Sequence, residues 1–273
     1  MDISASTAKP KVCPNLRPIA LPTEHGGWSM ILEPIFLGWW VAFSGVGLLL
    51  GVAAFATFLI RHPFQLALRD RKRGKRYPRT QWAERFVMAY SVVAVVTFIL
   101  ALVFSDYFFW QPLVVAIPLA LIQIGYEVQN RSRDVIAEIV GAIAVGAVAP
   151  MIALADGWKF DAAFALWGIL MARIIGTILY VRARLRLERG ESPLIFPAHA
   201  THIGGLIGVA ILAAMNLSPW LAVIALSLLL ARSLHGLSKY RVPAPRAAII
   251  GIQEVIFGIV TVMLVGVGYT ADL

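Results

Sequence analysis

Charged side chains are scarce in this sequence of 273 residues. Only 14% of the residues are charged and 59% are hydrophobic, whereas soluble domains carry about 25% charged residues. This composition excludes an ordinary soluble domain and is typical of an integral membrane protein. Cysteine is scarcer still, because Cys13 is the only one, so an internal disulfide framework is also excluded.

Acidic residues are few as well, with 15 Asp and Glu against 24 Lys and Arg. The net charge of +9 could indicate nucleic acid binding, but basic residues of membrane proteins gather on the cytoplasmic side. No nucleic acid partner is therefore expected.

Residues 1–21 are polar and proline-rich and lack the apolar core of a signal peptide. We interpret them as a flexible cytoplasmic tail that precedes a single transmembrane domain at residues 22–273.

Apolar segments of the length that a bilayer requires, about 20 residues, recur along the chain. Nine such segments are predicted to be helices, at residues 26–43, 46–63, 83–104, 111–127, 135–154, 160–181, 200–216, 218–235 and 247–268. Connections containing Gly, Asn or Pro at residues 43–47 and 216–219 predict tight hairpins on one side. Longer basic connections, at residues 61–85 and 182–199, are predicted on the other side.

The basic residues favour this topology. With nine spans, every Lys and Arg except Lys159 and Arg173 falls on one side, which the positive-inside rule makes cytoplasmic. The N-terminus is then cytoplasmic and the C-terminus outside. Trp110, Trp158 and Trp220 fall at the outer helix ends, as expected of an aromatic belt. The segment lengths further suggest a first helix followed by two blocks of four helices.

Ionisable residues inside membrane helices mark candidate functional sites. Those in the predicted spans are Glu33, Glu127, Glu138, Arg173 and Glu254. Glu127 and Arg131 lie four residues apart, with Asn130 beside them. They form either a local salt bridge at a helix end or part of a polar cavity.

Arg173 lies about two turns inside the cytoplasmic end of the sixth span. It shares one helical face with Thr177, Tyr180 and Arg184, because these residues follow at i+4, i+7 and i+11. An arginine at this depth either pairs with an acidic residue or binds an anion. The sequence leaves both roles open.

Two histidines, His199 and His202, lie three residues apart at the mouth of the seventh span. Their spacing places both imidazoles on one helix face. Two ligands do not make a metal site, so no metal is expected here. A polar lining or a proton-relay role is favoured.

The connection at residues 61–86 is the most basic part of the chain. One interpretation is that it touches anionic lipid headgroups. That interpretation explains the run from Arg69 to Arg76. The other interpretation is that Arg61 and His62, together with residues 77–80, which include Arg79, lie around a cavity mouth and bind a phosphate or diphosphate, which arginine forks suit well.

The first predicted helix opens with the motif EHGGWSMILEPIFLG at residues 24–38. This motif resembles the signature of the YwiC-like family of bacterial membrane proteins, which implies a multi-pass protein of the bacterial inner membrane. The chain is also similar to the wider UbiA prenyltransferase superfamily. That resemblance implies nine helices and an internal N-terminus. The tract RDRKRGKRYPRT at residues 69–80 occupies the place of the superfamily's first aspartate motif.

The superfamily's aspartates, which hold Mg²⁺ on an allylic diphosphate, are largely replaced here. Only Asp70 remains in the first motif, and the second reads RARLRLERGES at residues 182–192. Because Mg²⁺ needs carboxylate oxygens beside the substrate phosphates, no cofactor is expected. Glu24 and His25, next to a glycine pair, are then the candidate catalytic residues. The alternative is that Thr23 and Glu24 only cap the first helix.

The sequence therefore predicts an all-α, nine-span protein of UbiA-like architecture with a basic cavity that faces the cytoplasm. The first hypothesis is that it binds or transforms an isoprenoid or other lipid diphosphate. Alternatives are a transporter or binding protein for a small anionic metabolite, and a non-catalytic subunit of a membrane complex. Membrane lipids are the expected partners. The predicted substrate-binding residues are Arg61, His62, Arg69, Asp70, Arg79, Glu127, Asn130, Arg131, Arg173, Tyr180, Arg184, His199, His202 and Glu254.

Overall fold

A computed structural model describes residues 16–22, 25–75, 77–244 and 246–271, with the backbone alone for residues 25 and 26. Within these ranges the chain forms eleven helices and no strand, which confirms the predicted all-α class. The helices are α1 (Arg17–Ala20), α2 (His25–Val41), α3 (Gly45–Lys72), α4 (Pro78–Phe104), α5 (Leu113–Val128), α6 (Val135–Gly146), α7 (Val148–Ala155), α8 (Phe160–Glu188), α9 (Ile195–Ala214), α10 (Trp220–Gly236) and α11 (Ala247–Ala271).

Each of the nine apolar segments coincides with helical structure, the fifth being divided between α6 and α7. Six helical segments of the described chain are long and apolar enough to cross a bilayer, namely α3, α4, α6 with α7, α8, α9 and α11. The helices α2, α5 and α10 have only 16 or 17 residues. The protein is therefore a multi-pass membrane protein, as its composition predicts.

The division between α6 and α7 has a local cause. Pro150 lacks a backbone N–H, and its ring clashes with the carbonyl group four residues earlier. That carbonyl belongs to Gly146, which is the last residue of α6. The segment predicted as one helix at residues 135–154 is therefore a helix with a break at Ala147.

The prediction that residues 61–85 and 182–199 form long connections was wrong, because the helices continue beyond the apolar segments. α3 runs to Lys72 and α4 begins at Pro78, so most of the 61–85 connection is helical. α8 and α9 likewise extend into the 182–199 connection. Hydropathy marks only the bilayer-facing part of a helix, whereas Arg, Lys, Gln, Leu and Ala favour helix outside the bilayer as well. Gly74 lies two residues beyond the end of α3, and its left-handed φ of 64° is typical of a residue that follows a helix C-terminus.

The predicted tight hairpins are confirmed. Between α2 and α3, Ser44 caps α3 by accepting a hydrogen bond at its side chain from the Gly47 backbone N–H at 3.0 Å. Between α9 and α10, Asn216 adopts a left-handed φ of 57° and reverses the chain.

The centre of the bundle is formed by α7 and α8. Every residue of α7 except Val148 is buried, and α8 packs on α6, α7, α9, α10 and α11. Small residues such as Ala149 and Ala163, both fully buried, let these helices approach closely. α2 packs on α3, α7 and α11, so it joins the α3–α7 block to the α8–α11 block.

Part of the predicted N-terminal tail is ordered against this bundle. Ile19 of α1 is buried in a small cluster with Ala67 of α3 and Ala83 of α4. Residues 1–15 of the tail lie outside the described part of the chain.

Candidate functional site

A cavity of about 1260 Å³ lies between the α3–α4 hairpin and the α5–α6 hairpin. α4 packs on α3 and α5 packs on α6, whereas α4 and α5 are not a well-packed pair within the described residues. The cavity fills the space between them. Its back wall is α8, which contributes Ile174, Ile178, Val181 and Leu185.

One end of the cavity is strongly basic. It is lined by five arginines and two glutamates, so positive charge predominates and attracts anions. Arg61 of α3 donates a hydrogen bond from Nε to Glu127 Oε1 of α5. Arg182 of α8 donates from Nε to Glu138 Oε2 of α6 at 2.9 Å. The five arginines of this basic mouth are Arg61, Arg133, Arg182, Arg186 and Arg189.

Beyond the mouth the lining of the cavity is mostly apolar. Its lining along α3 extends from Phe64 to Leu50, a distance of about 21 Å at the helical rise per residue. Phe98 of α4, Leu113 of α5 and Met151 of α7 line the far end. The cavity therefore combines a cationic end with a long apolar body.

An ion pair deep in the bundle forms part of the cavity wall. Arg173 Nη1 lies 2.6 Å from Glu33 Oε2, and Arg173 Nη2 donates to Glu33 Oε1 at 2.7 Å. The two side chains are only 4% and 8% exposed. Arg173 thus has the acidic partner that was one of its two predicted roles. Gly258 of α11 makes room for the pair, since a Cβ there would lie 2.7 Å from Arg173 Nη2.

A second buried ion pair connects α10 and α11. Arg232 Nη1 donates to Glu254 Oε2 at 2.6 Å, and Glu254 lies close enough to Arg173 to interact electrostatically. Glu254 also lines the cavity. The two acids and two arginines leave this region without net charge, which is the condition for burying such groups in a membrane.

Tyr180 and Arg184, predicted to bind substrate, are buried outside the cavity lining. The Arg184 guanidinium donates to the carbonyl oxygens of Gly236 and Val242. The Arg232 guanidinium lies 4.3 Å from the centre of the Tyr180 ring. These contacts hold α8 against the end of α10.

The two histidines also lie outside the cavity lining, between α8, α9 and α10. His202 is buried, and its Nδ1 lies 2.7 Å from the Ala198 carbonyl oxygen. His199 Nε2 lies 3.4 Å from the Ser233 carbonyl oxygen. Gly176 of α8 lies against the His202 ring, because a Cβ there would be 3.0 Å from it.

Asp70 joins the end of α3 to the start of α4. Its carboxylate accepts hydrogen bonds from Arg79 at 2.8 and 3.1 Å and from the Thr80 hydroxyl at 2.7 Å. The group is buried and its oxygens are occupied, so these residues do not fit a Mg²⁺ site. Within the described chain no three His, Cys, Asp or Glu side chains are grouped to hold a metal ion.

Two further predicted residues lie near α1 and along the exposed side of α3. His62 Nε2 lies 3.0 Å from the Pro18 carbonyl oxygen, and Arg69 donates to Gln65 Oε1 at 3.2 Å. Neither residue lines the cavity.

The turn between α5 and α6 resolves one pair of alternatives. Glu127 pairs with Arg61 across the cavity mouth rather than with Arg131. Arg131 instead pairs with Asp134 at 2.6 Å and lies over the Tyr126 ring. Asn130, with a left-handed φ of 59°, forms the turn itself.

The predicted catalytic residues fall at the edge of the described chain. Glu24 lies outside the described residues, and His25 begins α2 but its side chain is not described. Of the predicted binding residues, the cavity brings together Arg61, Glu127, Arg173 and Glu254.

Four arginines of the mouth were not among the predicted binding residues. Arg182, Arg186 and Arg189 follow at i, i+4 and i+7, a spacing that places them on one helix face. The signal is therefore present in the sequence, but the positive-inside rule accounts for the same charges. Arg133, the fourth, reaches the mouth from the α5–α6 connection.

Residues 21–153 of the chain, which include α2 to α6 and most of α7, match the family described as YwiC-like protein. The resemblance predicted from the motif at residues 24–38 is thereby confirmed. No curated protein and no solved structure matches the chain.

The buried ion pair predicts a specific pattern of stability. Arg173→Met leaves Glu33 buried without its cation and should lower the free energy of unfolding by about 3–5 kcal/mol. Adding Glu33→Leu should restore most of this loss, because both charges are then removed. Unfolding in detergent micelles, followed by circular dichroism, measures both effects.

The matched control is the Arg71–Glu84 pair, in which the Arg71 side chain is 68% exposed. Arg71→Met should cost less than about 1 kcal/mol. A double variant as unstable as Arg173→Met alone would contradict the assignment.

Proposed function

We propose that this YwiC-like protein binds a phosphate-bearing lipid, such as an isoprenoid diphosphate, with the headgroup in the basic mouth and the chain in the apolar cavity. The observation that supports this proposal is that one cavity has a basic end and a mostly apolar body. A lipid phosphate needs the basic end for its charged headgroup and the apolar body for its hydrocarbon chain.

The mouth has the chemistry to hold phosphate. Arginine offers planar, forked donors that suit phosphate oxygens. The Arg189 side chain has no assigned partner within the described residues, and Arg186 has only an exposed contact of 3.4 Å with Glu191. Arg61 and Arg182 are already paired with glutamates, which leaves Arg186 and Arg189 as the most available donors. Several arginines could neutralise a diphosphate directly, without a carboxylate-bound metal.

The size and walls of the cavity favour a lipid over a small anion. Sites for drug-sized ligands measure about 300–1,000 Å³, and this cavity is larger, at about 1260 Å³. Its far end, lined by Leu113, Phe98 and Met151, offers a free anion no polar partner. A hydrocarbon chain would be stabilised by the same surface.

Transformation of the lipid would need catalytic groups beside the headgroup. Gly27 and Ser29 of α2 line the cavity, so the start of α2 is close to it. Glu24 and His25 therefore remain the proposed acid–base residues if the protein is an enzyme.

The proposed membrane arrangement has nine spans, with α6 and α7 acting as one broken span and the basic mouth on the cytoplasmic side. The helices α2, α5 and α10 would then cross the bilayer despite their length. Local thinning of the bilayer is the usual response to such a short span.

Topology can be tested by cysteine labelling in a Cys13→Ala background. Lys75→Cys, between α3 and α4, should react only with reagent on the cytoplasmic side. Asp156→Cys, between α7 and α8, should react only from the opposite side. Labelling of both positions from one side would contradict the nine-span arrangement.

Arg189→Gln should weaken binding of dodecyl phosphate about tenfold or more, since a hydrogen bond to a charged group contributes about 1.5–3 kcal/mol. The dissociation constant is measured by native mass spectrometry of the protein in nanodiscs. The glutamine removes the charge without leaving a carboxylate unpaired.

The matched control is Arg246→Gln, which changes an exposed arginine directly before α11 that does not line the cavity. Its effect should be small. Equal losses in both variants would point to general attraction between basic residues and headgroups, and would overturn the proposed headgroup site.

A further inference from the structure

The cavity is open along the side where α4 faces α5. Four apolar residues of these helices line the cavity and are 45–56% exposed. α4 and α5 do not pack closely on each other within the described residues, so the cavity is not closed between them and these residues lie along the opening. The four are Val95, Ile99, Ile117 and Ile124.

The opening lies at the level of the bilayer. Ile99 is five residues from the end of α4 and Ile117 is four residues from the start of α5. Both are therefore near the end of the bundle opposite the basic mouth, within apolar helix. Val95 and Ile124 lie further toward the mouth, so the opening extends along much of the apolar part of the two helices.

The basic end of the opening is bridged by polar contacts. Arg61 of α3 pairs with Glu127 of α5, and Lys72 at the end of α3 donates from Nζ to the Val128 carbonyl oxygen of α5. These contacts tie the two hairpins together on the water side. The apolar stretch of α4 and α5 carries no comparable bond among those found in the described chain.

A second apolar groove faces the lipid between α2 and α11, with a volume of about 630 Å³. Glu33 lines this groove, whereas its partner Arg173 lines the cavity. The buried ion pair therefore lies between the two spaces. Passage from this groove into the cavity would require the pair to be broken, which is costly in a membrane.

We propose that the α4–α5 opening is a docking surface for the hydrocarbon chain of a single lipid, which enters the cavity sideways from the bilayer. The inference deepens the proposed function and rests on it. A chain that entered through the mouth would first have to leave the bilayer for water and then pass charged arginines. Sideways entry keeps the chain in apolar surroundings, and the phosphate slides toward the mouth at the level of the headgroups.

The occupant is a lipid and not a transmembrane helix of another protein. The opening is continuous with a cavity whose mouth carries arginines. Those charges complement a phosphate at the end of a chain, whereas a helix that filled the opening would bury them against apolar residues.

A reversible tether across the opening tests this route. Ile99→Cys and Ile117→Cys are introduced together in a Cys13→Ala background and joined with a reducible bis-thiosulfonate. The protein is reconstituted in phosphatidylcholine vesicles. A diazirine-bearing dodecyl phosphate is then added in the same lipid, and the rate of photolabelling of cavity residues is measured by mass spectrometry.

The tether should slow labelling about tenfold or more, as expected when a gating motion or an entry path is blocked, and reduction should restore the rate. The matched control joins Ile207→Cys of α9 to Ile224→Cys of α10. These residues are exposed to a similar degree, on helices that already pack together. This tether should leave the rate unchanged.

An unchanged rate with the α4–α5 tether in place would overturn sideways entry at this surface, and so would equal slowing by the control tether. A different result would show that the proposed function itself is wrong. In that case the untethered protein would not bind dodecyl phosphate at all, and cavity residues would not be labelled in any variant.

Discussion

The buried ion pair between Arg173 and Glu33 is the constraint on which the arrangement of the helices depends. A guanidinium within an apolar helix is costly unless it is paired with an opposite charge or faces a polar cavity. Glu33 is 140 positions away in the chain, so the pairing connects α2 to α8 through their side chains. Gly258 extends the constraint to α11, because a larger residue would displace both charged groups.

That constraint also shapes the space around it. The pair forms a wall between the cavity and the lipid-facing groove of α2 and α11. On the other side of the bundle, α4 and α5 do not pack closely on each other within the described residues, and the polar contacts at the basic end join α3 to α5. The result is a cavity that is cationic at one end, mostly apolar along its length and not closed by packing between α4 and α5. These three properties together underlie the proposal of a phosphate-bearing lipid as ligand.

Much of the helical framework could be predicted from sequence, because about 20 apolar residues mark a potential span regardless of its neighbours. The helix ends could not be predicted, because charged and polar residues are mixed with leucine and alanine in α3 beyond Arg61 and in α8 beyond Val181, and such segments are not apolar enough to be recognised by hydropathy. The break at Ala147 could have been predicted from Pro150.

The candidate site was predicted only in part. Arg61, Glu127, Arg173 and Glu254 stand out as ionisable residues in or beside apolar segments, and all four line the cavity. Their partners could not be predicted, because the contact between Arg61 and Glu127 joins residues 66 positions apart. Asp70 is a residue for which the prediction of ligand binding was not supported by its contacts. A family resemblance suggested a role in ligand binding, whereas its carboxylate is occupied by Arg79 and Thr80.

The central claim is that the cavity holds a phosphate-bearing lipid, and the lipid that remains bound during purification tests it most directly. Native mass spectrometry of the protein released from mild detergent should detect one such lipid on the wild type. Ala120→Phe, which fills the cavity, should abolish it, whereas Ala89→Phe, on the exposed face of α4, should retain it. A wild type without bound phosphate lipid, or equal lipid content in all three proteins, would contradict the account.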